Sequence, residues 1–147
     1  MKAEDCINRI KTLLEDDSTL SGYIQKVYLG VRQNIPKNNT PFIIIEPINE
    51  TEEDIIYQRQ QLRTTFLISA YIMDYDKDRQ IVGDSTNKGI MDVKNDIKKA
   101  LSADPTLNSN CIKFYFPNVL YDISDYPMRG VQIEMEVMFR QDFTTRA

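Results

Sequence analysis

From residue 131 to residue 139 the chain alternates without a break. Val131, Ile133, Met135, Val137 and Phe139 fall on one side; Gln132, Glu134, Glu136 and Met138 fall on the other. Successive side chains of a strand point to opposite faces, so a period of two specifies a β-strand with one buried face and one wetter face. Strands of that kind belong to antiparallel sheets whose apolar side is covered by something else. The covering elements are legible too. Ala3, Cys6, Ile7, Ile10, Leu13 and Leu14 recur at helical spacing, with Lys2, Glu4, Asp5, Asn8, Arg9, Lys11 and Glu15 on the opposite face. Ile90, Val93, Ile97 and Leu101 repeat the pattern, with Met91 and Ala100 beside them. That second helix must stop before Asp104 and Pro105, because the residue ahead of a proline is pushed out of the helical region.

The remaining segments read as strands and turns. Residues 16–18 end the first helix or start a short turn towards Leu20 and Gly22. Residues 27–31 (VYLGV) form a short strand, and 33–40 (QNIPKNNT) a loop. Residues 41–48 (PFIIIEPI) are strongly β-forming. Pro47 suggests an edge or an exit there, since proline donates nothing to a ladder. Ile43, Ile44 and Ile45 are apolar on both faces, as in a central strand or in an edge strand covered by a neighbouring subunit. Residues 49–54 (NETEED) are expected to be an acidic turn. In the stretch 55–73 the strand is expected from about Leu62. Residues 58–61 then form an exposed hairpin extension or a bulge. Residues 74–77 close that strand, and Gly83, Asp84, Ser85 and Thr86 are plausible helix-start residues. A strand over 112–120, a loop over 121–130 and the alternating strand follow.

The order is α-β-β-β-α-β-β. The expected fold is α+β: two layers, a mainly antiparallel central sheet with two amphipathic helices packed on one face. A chain of 147 residues is one domain, with an ordered core over about 3–141 and a polar tail over 142–147. The N-terminus carries acids and no continuous apolar run, so no signal peptide is expected, and the apolar stretches are too short to span a membrane.

Composition narrows the function. There is no histidine, and most acid–base, nucleophilic and metal chemistry near neutral pH uses imidazole. A net charge of −4 argues against nonspecific binding to DNA or to anionic membranes. Cys6 and Cys111, the only cysteines, lack the spacing of a zinc or redox site and are expected as reduced thiols. Cys111 has no histidine to activate it as a nucleophile. Asp74, Asp76 and Asp78 alternate as in a calcium loop, but Arg79 and Ser85 stand where that loop needs glycine and glutamate. Residues 83–89 (GDSTNKG) resemble a phosphate loop with the lysine misplaced. Glu134 and Glu136 lie roughly 7 Å apart on one strand face, a pair that the alternation requires to be polar anyway. No catalytic residue, metal site or cofactor is expected. Tyrosines are numerous, and Tyr126, in a loop, is the best candidate for a partner contact.

The whole pattern resembles the tail terminator (tail completion) proteins of long-tailed bacteriophages and prophages. The segments that carry the likeness are IKTLLEDDSTLSGYIQKVYLG, PFIIIEP with its acidic turn, LRTTFLISAYIMDYD, IMDVKNDIKKALSADP, IKFYFPNVLYDISDYP and RGVQIEMEVMFRQD, over about residues 5–142. The resemblance implies a structural virion protein without enzymatic activity. Subunits of such proteins close into a ring, a hexamer in the virion, that caps the head-proximal end of the tail tube. The ring stops tube polymerisation and joins the tail to the head. Implied partners are further copies of the chain, the tail tube protein and a head-closure or connector protein. DNA would pass through the ring without specific binding, and no membrane is involved. The implied location is the host cytoplasm during assembly and then the virion. A head-to-tail ring needs two different patches. Candidate contacts are Arg32, Lys37, Asn38 and Asn39 in one loop, and Glu52, Glu53 and Asp54 in the acidic segment, besides Tyr126. Asp74, Asp76 and Asp78 are candidates for an acidic pore lining. Rival readings are another neck component, a metal-dependent small hydrolase or nuclease, and a small-molecule binding module.

Overall fold

The computed structural model describes residues 2–30, 40–56, 59–122 and 126–142, with backbone only for 53–56, 59–60 and 141–142. Helix α1 spans Ala3–Asp16 and buries Cys6, Ile10 and Leu14. The Asp17 carboxylate then accepts from the N–H groups of Thr19 and Leu20 at 3.1 and 3.0 Å, opening a 3-10 turn over Leu20–Gly22. Five strands follow: β1 (Lys26–Leu29), β2 (Phe42–Ile56), β3 (Arg59–Met73), β4 (Lys113–Asp122) and β5 (Met128–Asp142). Helices α2 (Lys77–Val82) and α3 (Ile90–Ser102) lie between β3 and β4. The sheet order is β1-β2-β3-β5-β4, and among the described strands only the β1–β2 pair is parallel. This is an α+β fold with a mostly antiparallel sheet.

The alternation read from the sequence is the core. Val131, Ile133, Met135, Val137 and Phe139 are all fully buried. They meet Leu62, Phe66, Ile68, Ala70 and Ile72 of β3, and Ile43 and Ile45 of β2, beneath the apolar stripes of α1 and α3. Burying a side chain such as Ile10 or Leu14 contributes about 1.5–3 kcal/mol. That outweighs the half-exposed ion pairs of α1, Arg9–Asp104 and Lys11–Glu15, which are worth under about 1 kcal/mol each. Ile44 faces the other side yet is buried, beside Phe42 and Ser69. The three isoleucines therefore sit in a central strand, flanked by β1 and β3.

Several boundaries differ from those expected. Residues 49–54 are strand, not a turn: β2 runs on to Ile56 and β3 begins at Arg59, three residues before Leu62. The ladder continues because Ile56 pairs with Arg59, with bulges between Pro47 and Asn49 and between Glu52 and Ile55. Pro47 does not end the strand. Among the described residues the β1 pairing stops opposite Ile45, two residues before Pro47, and a missing N–H costs little where no ladder bond uses it. α2 was not expected. α3 starts at Ile90, later than Gly83–Thr86, with the Gly89 N–H donating to Asp92 at 3.0 Å. β4 and β5 reach to Asp122 and from Met128, shortening the loop expected over 121–130. Pro117 falls at the bulge of β4, an edge strand, where a ladder tolerates proline. Among the described residues no helix is long and apolar enough to cross a membrane.

Candidate functional site

β3 and β5 pair residue for residue over their whole length, from Arg59 with Asp142 to Met73 with Met128. A strand of 15 residues at about 3.3 Å per residue sets its two ends roughly 45 Å apart. The candidate contacts are divided between those ends.

At one end is the β2–β3 hairpin. Glu52 is exposed near its tip, and Glu53 and Asp54 continue the strand, their backbones falling at the second bulge. Glu50 accepts from the Thr64 hydroxyl at 3.2 Å across the ladder. Arg32, Lys37, Asn38 and Asn39 lie outside the described residues.

At the other end β3 meets α2 and the β4–β5 connection. The Asp74 N–H donates to the Pro127 carbonyl at 3.0 Å. Gln80, buried within a short and otherwise exposed helix, donates through Nε2 to the carbonyls of both Asp74 (3.1 Å) and Pro127 (2.9 Å). The Tyr126 hydroxyl donates to the Tyr75 carbonyl at 2.6 Å, and the Lys77 ammonium stands 5.6 Å from the Tyr126 ring centroid. Tyr75 (73% exposed), Val82 (62%) and Tyr126 (52%) leave large apolar surface facing outward here. Tyr126 and the aspartates, distant in sequence, thus share one corner.

The three aspartates do not converge. Asp74 binds the Arg79 guanidinium twice, at 2.7 and 2.9 Å. Those bonds, with the Asp76 N–H, hold its carboxyl below the usual range despite some burial, and they raise the Arg79 guanidinium correspondingly. Asp76 caps α2, accepting from the N–H groups of Asp78 and Arg79. Asp78 is exposed in the first turn, where the helix dipole favours an anion. Asp74 and Asp76 each have a structural task, and among the described residues no calcium loop is assembled. Among the described residues no three or more cysteine, aspartate or glutamate side chains are grouped to hold a metal.

The phosphate-loop likeness fails for a visible reason. Asp84 itself accepts from the Thr86 and Asn87 N–H groups, at 2.9 and 2.7 Å, and these bonds lower its pKa. A carboxylate of the chain already occupies the place an anion would take. Gly83 and Gly89 pack backbone to backbone: a Cβ on Gly89 would meet the Gly83 nitrogen at 2.4 Å. The glycines serve closure of the loop.

On the sheet face opposite α1 and α3, Glu136 accepts from Arg63 at 3.3 Å and from the Tyr115 hydroxyl, whose pKa rises chiefly through that bond. Glu134 and Glu136 are therefore not a free carboxylate pair. Cys111 is a poor nucleophile: burial first, then Asp104, pushes its thiol up to about 11. Gln80 was not singled out from sequence, Arg79 stood there only as the residue that breaks the calcium-loop pattern, and Tyr75 only as one of many tyrosines. The signal present was Asp76 directly ahead of KDRQIV, an N-cap before a helix-length run.

No family model matches the sequence, and no curated protein matches it. Among solved structures 34 chains are similar. One belongs to the virion of a native gene transfer agent particle; it is 12% identical, with a TM-score of 0.48 over 90% of this chain and 92% of that one.

Proposed function

We propose that this chain is a non-enzymatic structural component of a phage-type virion. It would cap the head-proximal end of a tail tube, ending tube growth and joining tail to head. The observation that carries the reading is the β3–β5 ladder, paired over 15 residues, with the acidic hairpin at one end and the Tyr75–Tyr126 corner at the other. A cap of this kind must hold the tube on one side and the connector on the other. Here the acidic hairpin lies at one end, and the Tyr75–Tyr126 corner lies roughly 45 Å away. The sequence resemblance over about residues 5–142 supplies the identity of the partners. The β4 edge of the sheet, which carries Lys113, Pro117 and a bulge, also disfavours edge-to-edge pairing and favours assembly by faces and loops.

In the proposed assembly copies of the chain form a closed ring, six in the virion. Arg32, Lys37, Asn38, Asn39, Glu52, Glu53 and Asp54 would contact the neighbouring subunit or the tube. Tyr126, with Tyr75, would face the connector. Asp76 and Asp78 would contribute an acidic lining, since both are exposed, while the charge of Asp74 is matched by Arg79. DNA passes such a lining without adhering.

The test is polymerisation of purified tube protein with the chain added. Tubes that stop growing, carry a ring at one end by electron microscopy and then accept a connector bear the proposal out. Binding to the connector but not to the tube would instead indicate another neck component. Binding to neither removes the reading.

A further inference from the structure

Cys6 lies in the first turn of α1 and Cys111 in the connection from α3 to β4; both are buried and free. They belong to the same apolar cluster. The Cys6 Sγ donates to the Asn110 carbonyl oxygen at 3.2 Å. That oxygen belongs to the peptide unit entering Cys111, whose geometry sets the Cys111 Cα about 2.8 Å from it. The Cys6 sulfur is therefore within about 6 Å of the Cys111 Cα, close enough for a side-chain rotation at Cys111 to bring the two sulfurs together.

The fold also holds both residues in place. The Cys111 N–H donates to the Thr106 carbonyl at 3.1 Å and the Ile112 N–H to Met138 at 2.7 Å. Leu107, Asn108 and Ser109 have φ of 49, 58 and 65°, three successive non-glycine residues in the left-handed region. Such backbone persists only where its surroundings demand it. Here Asp104 accepts from the Asn108 N–H at 3.1 Å, and the Thr106 hydroxyl accepts from the Ser109 N–H at 3.2 Å. Arg9 of α1 binds Asp104 at 2.9 Å, fastening the helix to the same connection. Folding has already met the entropy of bringing the two thiols together, which is the condition for efficient intramolecular reaction.

We propose that Cys6 and Cys111 are a cross-linkable pair, forming an intramolecular disulfide that ties α1 to the α3–β4 connection when the chain meets a disulfide oxidant such as glutathione disulfide. The inference stands apart from the functional reading above. One protein thiolate attacks glutathione disulfide, its S–S bond breaks, and one glutathione leaves and takes a proton. The second protein thiolate displaces the other glutathione. The chain loses two protons and two electrons, and the oxidant becomes two reduced glutathiones. Burial, then the Cys111 charge, pushes the Cys6 thiol up to about 12, and burial pushes Cys111 up to about 11. Exchange is therefore slow at neutral pH and quickens about tenfold per pH unit towards pH 9.

The experiment equilibrates the full chain at pH 8 in glutathione buffers from fully reduced to fully oxidised, until its distribution stops changing. Acid-quenched samples are read by intact and peptide mass spectrometry. The expected product is a monomer lighter by two hydrogens, with a peptide linking Cys6 to Cys111. It melts several degrees higher than the reduced chain and reverts with dithiothreitol. Cys6→Ala and Cys111→Ala, checked for native circular dichroism, lack that species. Because the cross-link is sought in the unaltered chain, a variant that fails to fold does not obscure the outcome. Accumulation of glutathione adducts or of chain-to-chain dimers overturns the proposal. So does a chain that stays reduced in the most oxidising buffer.

Discussion

Gln80 is the side chain whose replacement tests the corner most directly. It is 4% exposed, and its amide nitrogen donates to two carbonyls, one at the end of β3 and one in the β4–β5 connection. Gln80→Met keeps the length and flexibility of the side chain and removes both donations. Each hydrogen bond contributes about 0.5–1.5 kcal/mol net, so the substitution costs about 1–3 kcal/mol. In a domain of this size that lowers Tm by about 4–10 °C. Urea unfolding should show a lower midpoint with an unchanged slope, because the surface exposed on unfolding is the same. Hydrogen exchange locates the effect: the Asp74 amide, bonded to Pro127, exchanges faster than in the parent chain. Gln80→Glu separates lost donors from lost packing. Its carboxylate faces two carbonyl oxygens, so its folded-state pKa lies above the ordinary glutamate value near 4.3. Its penalty is small below that pH and grows as pH rises towards 7. A Gln80→Met chain within about 0.3 kcal/mol of the parent would refute the assignment, since that is inside the usual scatter of surface substitutions.

Gly130→Ala would place a Cβ 2.7 Å from Tyr71 Cε1 and 2.9 Å from its Cδ1, with the ring packed 5.3 Å from Phe42. A loss of about 1–3 kcal/mol in urea unfolding is expected, partly restored by adding Tyr71→Ser; no loss would show that the ring moves freely. Asp74 and Asp104 have lowered pKa values. For Asp74 the Arg79 bonds are the main cause. For Asp104 burial opposes the shift, but the Asn108 N–H and Arg9 outweigh it. Depressed carboxyls stabilise the fold above their unfolded pKa, near 3.9, and that contribution is lost as pH falls through the lower folded values. Tm should therefore fall below about pH 4, and less steeply in Asp74→Asn; equal slopes would contradict the assignment. Reversing the charge at Glu52, Glu53 and Asp54 to lysine should leave Tm nearly unchanged and abolish joining of tails to heads. Normal joining in that variant would remove the hairpin from the docking surface.

Local pattern was enough for the elements that carry a buried face. β5, α1 and α3 were legible because each presents one apolar stripe to the core, and burial forces the period of the element onto its composition. The other elements depend on long-range pairing. Residues 49–54 read as a turn because, beyond the helix layer, no buried face imposes alternation on the strand; cross-strand pairing with β3 makes them strand. α2 has no apolar stripe. It exists through the Asp76 cap and through Gln80, whose acceptors come from chain segments 6 and 47 residues away. The same holds for the candidate sites. Asp74, Asp76 and Asp78 look like ligands in one dimension, and their roles appear only once Arg79, α2 and Pro127 are in place. Tyr126 joins that corner, and Cys6 reaches the Asn110 carbonyl, through contacts between residues far apart along the chain. Periodicity records what a residue does locally; which distant residue it meets depends on sheet order and register, which no local pattern encodes.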